Sequence, residues 1–298
     1  MTAPLSPSLL VLLSLPPLLW AGNAVVGAVL APAVSPVLLN ALRWAVALAV
    51  LLPFTRGLWR GRERVYRNWR WFVVTGFLGM GLYNALLYRA LHTSSPLNVT
   101  LISSGLPVFM LIVGALGFQA PVQRRQAVGA LLSLAGVLTV LSQGQWQRLL
   151  AIEFVQGDVL MLLANVAWAV YSWLLTRAPS EVQQWHWADR LGAQVLVGVV
   201  LAGLSTVGEA AWGALHFDAS PSTWLGLLYI AIGPSLLAYR CWGLGVERGG
   251  PAMAAFFYNL TPLITALLGL ALMSAAPQTF HMFAFLLIAS GIWVSSNR

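Results

Sequence analysis

Lysine is absent from this 298-residue chain, and charge of either sign is scarce, with Asp, Glu and Arg together making up 8%. A soluble domain carries about 25% charged residues. A chain so poor in charge cannot cover itself for water, so most of its surface must meet lipid. The net charge of +8 does not point to nucleic acid. All sixteen basic residues are arginine, and they cluster between apolar segments, the pattern of cytoplasmic loops beside anionic headgroups. One cysteine, Cys241, excludes an intrachain disulfide and a cysteine metal cluster, and a buried, inert thiol is expected. Gly-x-Ser-x-Gly, His-Glu-x-x-His and the phosphate-binding loop are all missing, which argues against an enzyme, and no cofactor or metal is expected. No Asp or Glu lies at the centre of an apolar stretch; Asp158 and Asp189 fall near the starts of theirs. The intramembrane carboxylate that a proton relay needs is therefore lacking. The N-terminus has no basic segment, and its apolar run continues past residue 28, too long for a signal peptide, so it reads as a first membrane span.

What is present is hydrophobic length. A spanning helix needs about 20 apolar residues. Ten stretches qualify, at about 8–30, 37–55, 71–92, 96–118, 124–143, 157–177, 184–207, 222–243, 250–273 and 278–296. The predicted fold class is an all-α membrane protein. Its connections are short, as in a tight bundle.

The stretches repeat. Pro96 and Pro107 in the fourth recur as Pro251 and Pro262 in the ninth, 155 residues on (251−96 and 262−107). Gly114 and Gly269, and Gly136 and Gly291, keep the same offset, and Pro234 occupies the place of Gly79. The expected organisation is residues 1–145 as one five-helix repeat and 146–298 as a second, within one membrane domain. Five is odd, so the second copy must enter the membrane from the other side, which is inverted topology. Arg56, Arg60, Arg62, Arg64, Arg67 and Arg70 lie between the second and third stretches, and Arg124 and Arg125 between the fourth and fifth. Arg177, Arg248 and Arg298 lie on that same side, whereas the opposite loops carry Arg148 with Glu153, Glu209 and Asp218. The positive-inside rule then puts both termini in the cytoplasm. Trp59, Tyr66, Trp69, Trp71, Trp185, Trp187, Trp212 and Trp224 fall at stretch ends, where an interfacial belt is expected.

Polar and aromatic residues inside the stretches are the functional candidates. Trp20 and Asn23 share one face of the first, and Asn165, Trp168 and Ser172 one face of the sixth. An amide in hydrocarbon must face protein or water, so these faces read either as interhelical glue or as a cavity wall. Thr100, Ser103, Ser104 and Pro107 form a stripe on the fourth, matched by Ala255, Tyr258, Asn259 and Pro262 on the ninth. Tyr83, Asn84 and Tyr88 follow three glycines on the third, and Tyr239 and Trp242 follow Pro234 on the eighth. The candidate substrate contacts are Trp20, Asn23, Tyr83, Tyr88, Ser103, Ser104, Asn165, Trp168, Tyr239, Tyr258 and Asn259. Gly79, Pro107, Pro234 and Pro262 are candidate hinges. Arg43, seven residues after Pro36, is a structural tie to neighbouring carbonyls or a gating charge. Arg89, Arg190 and Arg240, near stretch ends, are expected to snorkel or find partners.

Four passages carry a family resemblance: Leu19-Trp20-Ala21-Gly22-Asn23; Pro36 to Arg43; Tyr88-Arg89-Ala90-Leu91-His92-Thr93-Ser94 running on to Pro107; and Gly129 to Gly136. Tyr239 to Pro262 and Ala284 to Gly291 repeat the last two. With ten stretches, the chain resembles the EamA-type branch of the drug/metabolite transporter superfamily over nearly its whole length. That resemblance implies two inverted five-helix repeats around a cavity lined by helices 1, 3, 4, 6, 8 and 9. Small multidrug members of the superfamily use a glutamate in helix 1, where this chain has Trp20 and Asn23. The chain is most similar to bacterial amino-acid exporters, the aromatic amino-acid group included. Aromatic walls could stack on Phe, Tyr or Trp, with Ser and Asn binding the zwitterion. The expectation is an inner-membrane exporter, monomeric, whose partners are a small-molecule substrate and the bilayer. A transporter of another metabolite or drug is the alternative. A lipid-modifying enzyme would need an acid–base pair at headgroup level, for which His186 and Asp189 are the candidate.

Overall fold

A computed structural model describes residues 6–151, 153–210, 215–272 and 276–296; Trp212, Arg298 and the side chains of Arg62, Arg64 and Glu209 lie outside the described residues. Among the described residues, nine helices are long and apolar enough to cross a membrane, and a bent pair counted as one span makes a tenth. They are α1 (Pro7–Leu30), α2 (Pro36–Phe54), α3 (Trp69–Thr93), α4 (Pro96–Ser103 with Leu106–Phe118), α5 (Arg124–Ser142), α6 (Gln156–Thr176), α7 (Trp187–Gly208), α8 (Pro221–Gly249), α9 (Pro251–Leu272) and α10 (Thr279–Ser296). The protein is an all-helical, multi-pass membrane protein. Its outward faces carry exposed Leu131, Leu204, Phe283 and Trp293, as a lipid-facing surface should. No strand occurs among the described residues; one isolated bridge, Val34 with Phe217, ties the α1–α2 loop to the α7–α8 loop.

Serine–proline pairs start four of the helices. Ser6, Ser95 and Ser220 each accept a hydrogen bond from a backbone N–H three residues on, and proline follows at the first helical position. The hydroxyl satisfies an otherwise orphaned donor, and proline has no N–H to lose. Ser35 precedes Pro36 in the same way but makes no cap bond. Pro96 and Pro251 are thus helix starters, which corrects the expectation that both lie inside helices.

Three irregularities recur at the 155 offset. The first is a break in α4 at Ser104 and in α9 at Asn259; at the first of these the two parts of α4 meet at 43°. Pro107 and Pro262 sit just after these breaks, buried. The second is a π-helical segment within α3 (Phe77–Leu82) and within α8 (Ala231–Leu237). Gly79 and Pro234 lie inside these segments, so both candidate hinge positions coincide with widened turns of the kind often found at functional sites. The third is a cap: the Gln123 N–H donates to Gln126 Oε1 at 3.0 Å before α5, and the Gln278 N–H to His281 Nδ1 at 3.1 Å before α10.

Helices α5 and α10 pack antiparallel along a seam of small residues. A Cβ on Gly129 would lie 2.6 Å from the Gly291 carbonyl oxygen, and one on Gly291 equally close to that of Gly129. A Cβ on Gly136 would lie 2.9 Å from the Ala284 carbonyl oxygen. Such close backbone approach is how helices associate where no hydrophobic drive separates them from lipid.

Candidate substrate site

The centre of the bundle is aromatic. Trp20 of α1 has ring centroids 5.5 Å from both Trp168 of α6 and Trp242 of α8, 5.8 Å from Tyr258 of α9 and 6.2 Å from Tyr239 of α8. Tyr83 of α3 lies 4.9 Å from Trp168, and the Tyr83 and Tyr258 hydroxyls meet at 3.3 Å. Tyr171 extends the cluster at 5.1 Å from Trp168, and Trp44 of α2 at 5.3 Å from Tyr239. Most pairs are tilted or edge-on, as the ring quadrupoles favour. The side chains pack on one another, with Trp20, Tyr83 and Tyr258 only partly buried.

Polar groups around the cluster are unevenly satisfied. Trp242 Nε1 donates to Ser172 Oγ at 3.1 Å. Trp168, only 2% exposed, has no partner for its Nε1 among the described residues. Asn259 at the α9 break is fully buried, and neither its Nδ2 nor its Oδ1 has one. A buried donor or acceptor left unpaired costs about 1–3 kcal/mol. The matching α4 break is self-satisfied. Ser103 Oγ donates to the Val99 carbonyl, Ser104 Oγ to that of Leu101, and Asn165 Nδ2 of α6 to that of Ile102 at 2.6 Å. Asn165 is therefore a tie between α6 and α4.

The two π segments are held by the cluster itself. Tyr239 OH donates to the Gly79 carbonyl at 2.8 Å, and Trp20 Nε1 to the Pro234 carbonyl at 3.2 Å. The two acceptors are separated by the same 155-residue offset (234−79). Gly79 also packs against Tyr171, whose ring a Cβ would meet at 2.8 Å. Arg43 is buried and donates through Nε to Ser235 Oγ at 3.1 Å, with its guanidinium carbon 4.8 Å from the Trp44 ring centroid. The expected tie to neighbouring carbonyls is thus a tie to a hydroxyl. Ser235 in turn donates to the Ile230 carbonyl, which the N–H that Pro234 lacks would otherwise serve.

A cleft runs between α3, α6, α7 and α8 at the arginine-rich end, with Tyr171 and Tyr239 at its inner end and Trp71, Trp187, Arg190 and Glu247 along its walls. Arg190 and Glu247 pair at 2.8 Å, and Arg240 lies over the Trp187 ring at 5.1 Å, while Arg89 stays exposed. Asn23 and Tyr88 are half-buried and make no ring contact with the cluster. Trp59, Tyr66, Trp69 and Trp224 are exposed, as an interfacial belt requires. Trp71 instead packs on Phe72 and donates to the Leu174 carbonyl, and Trp185 also packs on Phe72 at 5.3 Å, so these two are core rather than belt. Asp189 Oδ1 accepts from the Leu58 N–H at 3.2 Å, a structural bond that occupies the carboxylate proposed for an acid–base pair with His186.

Residue-type reasoning missed part of the centre. Trp44, Tyr171 and Trp242 belong to it, and the spacings Trp168–Tyr171 and Tyr239–Trp242, one helical turn each, were available signals. Asp158 is 1% exposed at the start of α6, where it accepts from Ser94 Oγ, from Asn98 Nδ2 at 3.2 Å and from the Val155 N–H at 2.8 Å. That cluster closes the end opposite the cleft.

Nine membrane-length helices with a bent pair as a tenth, two helix breaks and an aromatic centre fit a multi-pass membrane transporter. The sequence profile of the EamA-like transporter family matches twice, over residues 7–142 and 155–297, and the chain belongs to that family. An uncharacterized transporter of Bacillus subtilis, YyaM, is 26% identical over 85% of this chain and 81% of its own. The aromatic amino acid exporter YddG of Ancylobacter novellus is 27% identical over 89% of this chain and 88% of its own. A solved crystal structure superposes with a TM-score of 0.74 at 24% identity, covering 97% of this chain and 96% of that one, and shares the fold.

Proposed function

We propose that this transporter exports amino acids, aromatic ones included, across a bacterial inner membrane by alternating access. The observation that carries the reading is the central cluster. Trp20 and Tyr83 come from one half, and Trp168, Tyr239, Trp242 and Tyr258 from the other. Aromatic faces suit aromatic cargo, and the Trp168 Nε1 and the Asn259 amide supply hydrogen-bonding groups with no partner among the described residues. A relative over most of the chain is named as an aromatic amino acid exporter. Two tandem family matches and the recurrences at 155 support two repeats, 1–145 and 146–298. The antiparallel α5–α10 seam supports their inversion, since equivalent helices crossing antiparallel need a two-fold axis in the membrane plane. The arginine-bearing loops support cytoplasmic termini, and the cleft at that end is where an exporter would load.

The test is counterflow of labelled amino acids in proteoliposomes. Phe, Tyr and Trp should exchange in the wild type. Trp20→Ala and Tyr258→Ala should each lower exchange about tenfold or more, as expected when a stacking partner worth ~1.5 kcal/mol is removed. Exchange of Phe, Tyr and Trp that neither substitution alters would remove the cluster from the site, and a wild type that moves no amino acid would end the substrate reading.

A further inference from the structure

Arg43 is a cation with no carboxylate partner among the described residues. It lies seven residues into α2, about 10 Å along the helix at 1.5 Å per residue, and is 4% exposed. A snorkelling arginine would leave its head at the interface, and this one turns inward instead. One of its five donors is used, Nε on Ser235 Oγ. Arg67 pairs with Glu181 and Arg190 with Glu247, and neither pair includes Arg43. No carboxylate among the described residues pairs with it. An uncompensated charge within the membrane is expensive, and such residues mark substrate pathways.

Its surroundings are also incomplete. Asn40 lies one turn before it on the same helix face, Trp44 follows it with its ring against the guanidinium, and both are buried. Asn40 Oδ1 and Trp44 Nε1 have no hydrogen-bond partner among the described residues. This turn of α2 thus presents the two Nη groups of the guanidinium, an indole donor and an amide acceptor with no hydrogen-bond partner among the described residues. Trp44 touches Tyr239 at 5.3 Å, and Tyr239 is the residue that latches Gly79, so the face adjoins the aromatic centre.

We infer that Arg43 binds the carboxylate of the transported molecule. The two Nη groups form the planar edge that matches a carboxylate bidentately, while Nε on Ser235 fixes the plane. Trp44 Nε1 adds a donor to the same anion, and Asn40 Oδ1 accepts from the ammonium of an α-amino acid. The cargo's side chain then extends past Tyr239 into the aromatic cluster. The site rests on the transport reading above and narrows it to carboxylate-bearing metabolites. Asn40, Arg43 and Trp44 supply the recognition that the aromatic cluster cannot.

The experiment compares L-phenylalanine with L-phenylalaninamide and phenethylamine as inhibitors of labelled phenylalanine counterflow, and as stabilisers of the detergent-purified protein. The wild type should prefer the carboxylate by about 30-fold, the weight of a charge-assisted pair. Arg43→Gln should abolish that preference and leave inhibition by phenethylamine within about twofold, and Arg43→Lys should keep part of it. A merely structural arginine would weaken all three ligands together, and that result overturns the inference. If Arg43→Gln does not fold, Ser235→Ala, which frees the guanidinium plane, must still lower the carboxylate preference. Wild-type protein that binds acid and amide equally overturns it without any variant, as does equal stabilisation by chloride alone. Failure of the transport reading looks different: wild-type proteoliposomes then move no amino acid at all.

Discussion

At the scale of single residues, the protein leaves polar atoms unmatched where a purely structural core would pair them. Asn259 is the extreme case, with a donor and an acceptor both buried and both without a partner among the described residues. Its counterpart in the first half, Ser104, spends its hydroxyl on a local carbonyl. The amide at 259 therefore costs stability that its twin does not, and a cost of that kind is retained where function uses it. Asn259→Leu keeps the volume and removes the two orphans. We expect the melting temperature in detergent to rise, by the equivalent of about 1–3 kcal/mol, while phenylalanine counterflow falls about tenfold or more. A lower melting temperature with transport intact would make the amide a structural group instead. The sequence could name Asn259 and Arg43, because polar residues in long apolar runs are conspicuous. It could not say that Asn165 ends on the Ile102 carbonyl and Arg43 on a hydroxyl, since those partners lie 63 and 192 residues away.

At the scale of helices, two π segments and two breaks divide four of the spans into short rigid pieces. Apolar length marks a span well, so its limits agree with the sequence reading to within a few residues for nine of the helices. The exception is α8, which runs to Gly249 rather than to about 243. Its last turns carry Arg240, Glu247 and Arg248, which look like loop composition, yet Arg240 and Glu247 form a wall of the cleft and Glu247 pairs with Arg190. Hydropathy also cannot reveal a π turn, because one added residue per turn leaves composition unchanged. The hinge reading of Gly79 and Pro234 gains a mechanism from the bonds on their carbonyls. Tyr239 and Trp20 close them in the packed state, so moving either ring out of the centre releases one segment. Tyr239→Phe removes one bond and keeps the ring. Hydrogen exchange should then quicken in residues 77–82 about fivefold, the effect of losing ~1 kcal/mol, with little change in the α5–α10 seam. Unchanged exchange together with unchanged counterflow would show that the bond holds nothing. Gly79→Leu is a poor probe of the same idea, since its side chain would strike Tyr171.

At the scale of the whole molecule, the issue is whether the second half stands upside down. An odd number of spans per repeat requires it, and the family resemblance implies it, but neither locates a matched pair of atoms on opposite faces. Gln123 and Gln278 provide that pair. Each begins the fifth helix of its half, each N–H is capped by the side chain three residues on, and both are exposed. Gln123 adjoins Arg124 and Arg125, the mark of a cytoplasmic loop. Gln278 belongs to the α9–α10 connection, which for ten spans with cytoplasmic termini lies outside. With the single native thiol removed by Cys241→Ala, Gln123→Cys and Gln278→Cys each give one reporter at a helix cap, at a cost of about 1 kcal/mol or less. A membrane-impermeant maleimide applied to intact cells with the outer membrane permeabilised should label position 278 and not 123, and inverted vesicles should reverse the pattern. Labelling of both from one side would refute inversion outright. The reverse pattern would keep the inversion but turn the molecule over, placing the cleft between α3, α6, α7 and α8 on the outside, where an importer rather than an exporter would load.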